Sequence, residues 1–150
     1  MNTAGAEPAA LEIEVIVDDG VDPGASPESL TGAAAATLER LGVSKGHVAI
    51  EIVDESRIHE LNLEYRAKDK PTDVLSFPVD GEEIATGVVP AAGAEPVELG
   101  DVVICPPHTE DMVEATVHGI LHLCGFDHES DSGEMLALQD EIVDRLRASK

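Results

Sequence analysis

Aromatic side chains are scarce in this sequence: one tyrosine, two phenylalanines and no tryptophan among 150 residues. Recognition of unpaired bases by a platform of stacked rings is therefore limited. Only two cysteines are present, Cys105 and Cys124. That excludes a disulfide framework and suits a cytosolic chain with both thiols reduced. No apolar run approaches the ~20 residues that span a bilayer. The opening MNTAGAEPAALEIEV lacks the basic stretch and apolar core of a secretory signal, so the expected location is cytoplasmic, with no membrane partner. Cations are few as well, with 9 Lys and Arg against 31 acids and a net charge of −22. From Pro71 to Asp144 there is no Lys or Arg against 17 acids, while four of the nine cations fall between Arg57 and Lys70. Solvated acidic faces, or adaptation to a salty cytosol, explain the bulk of this charge. A polyanionic substrate is admitted only where the cations gather.

An apolar content of 43% and the absence of repeats or long linkers point to one globular domain over residues 1–150, with residues 1–10 a loose tail. Alternating or continuous apolar stretches predict strands at 11–17, 47–53, 73–77 and 99–105. Ser26 followed by Pro27 marks a helix start, and that helix stops at Gly42. Asp54 caps a helix over 55–66. Thr109 is the expected cap of a helix that reaches Cys124 and ends at Gly125. A last helix over about 132–147 places Met135, Leu138, Ile142 and Leu146 on one stripe. Residues 79–98 form the longest loop. The order β-α-β-α-β-β-α-α predicts an α/β (α+β) domain: a mixed four-stranded sheet packed with about four to five helices.

Half of the histidines fall within eleven residues: His118, His122 and His128. The first two are i and i+4 on a helix, so their rings share a face and can grip one ion. Gly125 can take the left-handed conformation that turns the chain back and brings His128 to the same ion. Three histidine ligands leave a position for water or substrate, which marks a catalytic rather than a structural zinc site at the end of a helix. Imidazole also suits nickel, copper and iron; zinc is preferred for its redox silence and availability. Cys124 follows His122 by two residues, about 200° round the helix, and faces away from the ion. His47, His59 and His108 have no partner at ligand spacing. Zinc proteases of the metzincin type share the spacing but need Glu directly after the first histidine. Gly119 stands there, which disfavours peptide hydrolysis and suggests that another backbone or a bulky substrate comes close to the metal helix.

The second dense segment runs Asn62…Tyr65-Arg66-x-Lys68-Asp69-Lys70-Pro71-Thr72-Asp73-Val74-Leu75-Ser76-Phe77-Pro78. Alone, its three cations would be a solvated helix end. Read with Leu99-Gly100-Asp101-Val102-Val103-Ile104 and the histidine segment, it resembles the bacterial YbeY family of endoribonucleases, or rRNA maturation factors. The resemblance covers the chain from about residue 47 to its end. It implies a small α/β domain with one zinc ion on His118, His122 and His128, and a functionally essential Arg66. It also implies single-strand-specific cleavage in 16S rRNA 3′-end maturation and ribosome quality control. Partners would be ribosomal RNA and the small ribosomal subunit or its assembly proteins. One departure is the interval between Ile104 and His118, only thirteen residues, where the family is expected to carry an extra helix.

In this reading Arg66 binds a phosphate through its planar fork, while Lys68 and Lys70 guide the flanking backbone. Asp127 is a weak candidate for a base and is better suited to orienting a ligand histidine. Tyr65, Phe77 and Phe126 are expected to form core around the site. The alternatives are an assembly module whose zinc is structural and another metal-dependent hydrolase.

Overall fold

The computed structural model describes residues 11–78, 98–126 and 132–148. Four strands, β1 (Leu11–Val17), β2 (Gly46–Ile52), β3 (Val74–Pro78) and β4 (Glu98–Ile104), form one sheet in the order β1-β2-β4-β3. β1 and β4 both run parallel to β2, and β3 is antiparallel to β4. The helices are α1 (Pro27–Arg40), α2 (Glu55–Arg66), α3 (Met112–Leu123) and α4 (Glu134–Ala148). The expected mixed α/β architecture is present, with β1 at the limits read in the sequence and the other three strands displaced by one residue.

Alternation along the strands divides the sheet into two unlike faces. Val48, Ile50 and Ile52 of β2 and Val102 and Ile104 of β4 pack with Leu30, Ala34 and Leu38 of α1 and Ile120 and Leu123 of α3. The other face carries Val53, Leu75, Val103 and Cys105 under Ile58 and Leu61 of α2. Where α2 does not reach, the same face presents Glu12, Glu14, His47, Glu51 and Asp101. His47 bridges the strands there, to Glu98 at 2.5 Å and Glu14 at 3.1 Å.

Caps set most helix limits. The Ser26 side chain accepts from Ser29 N at 3.1 Å, with Pro27 in the first turn. Asp54 accepts from Arg57 N at 2.9 Å. At α3 the expected Thr109 cap is replaced by Asp111, which accepts from Val113 N and Glu114 N, both at 3.1 Å. Thr109 instead donates to Cys105 O at 2.8 Å and closes a 3-10 turn, Pro106–His108. This turn fills the short interval before α3. Gly125 ends α3 with φ 101°, as its spacing demanded. The buried stripe of α4 is Met135, Gln139, Ile142 and Val143; Leu138 and Leu146 lie at its margin, only partly buried.

Candidate active site

α3 sits tightly on the sheet. A Cβ on Gly119 would lie 2.5 Å from Val102 Cγ1 and 3.2 Å from Val74 Cγ2. Ser76 Oγ donates to Gly119 O at 2.7 Å. The glycine thus serves close approach by valine side chains and a serine of β3 and β4, rather than by substrate. It brings the histidine face of α3 to the edge strand β3.

His118 and His122 are half-buried, with ring centroids 4.7 Å apart in an edge-to-face arrangement. His118 Nδ1 is bonded to Gln139 Oε1 of α4 at 2.8 Å. His128 and Asp127 lie outside the described residues, and among the described residues no group of three metal-binding side chains occurs. Cys124 is buried and its thiol is pushed up to about 11 by that burial, so it is not a ready thiolate.

Both histidines line a cleft of about 1100 Å³ along β3, together with Arg57, Arg66 and Phe126. Arg66 is the last residue of α2 and is exposed. The chain leaves the helix through Ala67 at φ 59°, with Ala67 N bonded to Leu63 O and Lys68 N to Asn62 O at 3.0 and 3.2 Å. Buried Asn62 donates through Nδ2 to Lys70 O at 2.8 Å, and His59 Nε2 pairs with Asp69 Oδ1 at 2.7 Å. These bonds fasten the loop after Arg66. Lys68 and Lys70 are exposed on it and are not among the residues lining the cleft. His108 pairs with Glu55 at 2.8 Å, so His47, His59 and His108 each meet a carboxylate.

Tyr65, expected in the core, is 60% exposed, its ring edge-on to Phe77 at 5.1 Å. It lines the cleft with half-buried Phe77 and Phe126. Acids line it too: Glu51, Asp73 and Asp101. Burial raises the Glu51 carboxyl above its ordinary range, reinforced by Asp101 and Asp18 and opposed by Arg57. Burial likewise raises Asp101, reinforced by Glu98. Arg57, Glu51 and Gln139 are cleft or neighbouring residues that the motifs do not mark. The alternation of HVAIEIV puts Glu51 on the helix-poor face, and an amide on an apolar stripe flags Gln139, but nothing local marks Arg57.

The class defined so far is a small mixed α/β domain that brings paired imidazoles and an arginine together in one cleft. The comparisons are more specific. Residues 26–147 match the family described as Endoribonuclease YbeY. An Endoribonuclease YbeY of Persephonella marina is 40% identical over 123 residues, covering 74% of this chain and 77% of the relative. One of Salinispora tropica is 33% identical over 157 residues, covering 93% and 99%. The solution structure of TM1509 from Thermotoga maritima aligns with a TM-score of 0.53 at 25% identity, over 93% of this chain and 90% of that one. The chain belongs to the YbeY family. Among the described residues, no helix is long and apolar enough to cross a membrane.

Proposed function

We propose that this protein is a cytoplasmic, zinc-dependent endoribonuclease that cuts single-stranded RNA, with the 3′ region of small-subunit ribosomal RNA as substrate and ribosome quality control as its setting. The observation that carries this reading is the meeting of His118, His122 and Arg66 in the lining of one cleft. The residues suit the metal. Two imidazoles one helical turn apart converge on that cleft, and the Nδ1 of one is engaged by a side-chain amide, in the place where a metal-bound histidine usually meets a carboxylate, a backbone carbonyl or water. With His128 they supply the three nitrogens of an open, catalytic type of site. Zinc at such a site supplies Lewis acidity and lowers the pKa of water to about 7.

The chain's own groups then have separable tasks. Arg66 engages a phosphate through two parallel N–H bonds, which a lysine cannot imitate. Arg57 offers a second positive charge to the neighbouring phosphate. Lys68 and Lys70, on the exposed loop, meet RNA only beyond the cleft. Tyr65 offers an exposed ring on which one unpaired base can stack. Glu51, Asp73 and Asp101 repel phosphate and restrict the backbone path to the arginine side.

The test is cleavage of a single-stranded RNA carrying the 3′ end of small-subunit ribosomal RNA by zinc-loaded protein, with a duplex of the same sequence as control. Cleavage of the single strand alone is expected, abolished in His128→Ala and lowered about 10²–10³-fold in Arg66→Ala. RNA binding without cleavage in the loaded wild type would contradict the proposal and favour an assembly module with structural zinc.

A further inference from the structure

Gln139 occupies an unusual place. It lies on the buried stripe of α4, 7% exposed, four residues after Met135 and three before Ile142, which are 0% and 2% exposed. The same stripe packs on Val117 and Leu121 of α3, which flank His118. A carboxamide there must find a partner or carry the cost of its desolvation. Its Oε1 lies 2.8 Å from His118 Nδ1. An amide oxygen only accepts, so the imidazole nitrogen donates, and the neutral ring carries its lone pair on Nε2. His118 lines both the main cleft and a smaller cavity of about 330 Å³ whose wall includes Gln139. The ring therefore stands between the amide on one side and the cleft on the other.

We infer that Gln139 is a positioning residue: it selects the Nδ1–H tautomer of His118 and so presents Nε2 as the metal-binding nitrogen. This rests on the metal reading above. Apolar packing between α3 and α4 sets the spacing, and the amide converts that packing into ring orientation. A neutral amide also does this without adding another negative charge to a chain of net charge −22. Partners of this kind typically alter metal affinity by about 10–100-fold when removed.

Two readouts test the inference on the full chain. The first is the imidazole ¹⁵N spectrum of metal-free protein at a pH where His118 is neutral. Wild type and Gln139→Glu should show Nδ1–H, and Gln139→Leu should lose that preference. An Nε2–H wild-type ring, meaning that the amide nitrogen donates instead, would overturn the inference. The second is zinc affinity by chelator competition. Gln139→Leu should bind about 10–100-fold more weakly, with Gln139→Glu at or above wild-type affinity and thermal melts of the metal-free variants reporting that they fold. Zinc binding lost in His122→Ala but unchanged in Gln139→Leu would overturn the role of Gln139 alone. Zinc binding unchanged in His122→Ala would instead overturn the metal reading.

Discussion

At one end of the cleft, His118 and His122 stand on a helix whose Val117, Ile120 and Leu121 are all 0% exposed. At the other, Arg66 is the exposed last residue of α2, followed by a loop held by Asn62, His59 and a left-handed Ala67. Core packing fixes the imidazole end, while hydrogen bonds to the loop after α2 fix the arginine end. Substitutions at the first should therefore disturb stability and metal together. Those at the second should disturb activity and spare the fold.

The sharpest separation should come from Arg66. Arg66→Ala is expected to lose about 10²–10³-fold in RNA cleavage, the scale for removing one preorganised donor to developing charge. Its melting temperature and zinc content should match wild type. Arg66→Lys should recover little, because a point charge does not replace a fork; full activity in Arg66→Lys would reduce the residue to a generic cation.

The converse is Gly119→Ala. Helix propensity favours alanine by ~1 kcal/mol, but the new methyl meets Val102 Cγ1 at 2.5 Å, on a valine that is 0% exposed. Overpacking of about 1–3 kcal/mol opposes that gain. A net loss, of up to roughly 2 kcal/mol or a fall of up to about 8 °C in Tm, is expected, with weakened zinc binding. An unchanged Tm would show that α3 has room to slide, contrary to the tight seating of the imidazole end.

Salt dependence separates the cations inside the cleft from those beside it. Arg66, Lys68 and Lys70 together would neutralise up to three phosphates, for a slope of log affinity against log salt near −2. Arg57 and Arg66 alone give a slope no steeper than about −1.4. Repulsion from Glu51, Asp73 and Asp101, screened over roughly 10 Å at 0.1 M salt, should produce an affinity optimum rather than a monotonic fall. A steep monotonic fall would place cations outside the cleft in contact with RNA.

The smallest expected effect lies among the acids. The Glu51 carboxyl is raised from its ordinary 4.5, first by burial. Its unfolded form therefore ionises more readily than its folded form, and the resulting destabilisation grows as pH rises through the folded value. Glu51→Gln should raise Tm by about 1–2 °C at pH 7, a modest gain because solvent screens the site. The gain should vanish as pH falls toward 4. A gain that persists in acid would point to packing instead of charge.

Much of the imidazole end was legible because its rules are local. Two histidines at helical spacing and a glycine two residues past the helix end needed no tertiary information, and the caps Ser26 and Asp54 marked two further starts. Thr109 and Asp111 are both competent caps; the local bond from Thr109 to Cys105 O, which closes the 3-10 turn, decided between them. The offset of the α4 stripe toward Gln139 and Val143 reflects packing on α3 and α1, which periodicity alone does not specify. The composition of the arginine end was the least legible, because Arg57 and Glu51 reach the cleft through contacts between separate elements, and Lys68 and Lys70 leave it through the turn at Ala67.

The most direct test of the two-ended cleft is zinc per chain, measured by elemental analysis on wild type, His122→Ala and Arg66→Ala purified side by side. One zinc in wild type and in Arg66→Ala is expected, and none in His122→Ala. The His122→Ala protein should also melt at a lower temperature, having lost about 4 kcal/mol of linked stability where free zinc stands a thousandfold above Kd. Equal zinc in wild type and His122→Ala would contradict the assignment of the imidazole end as the metal site.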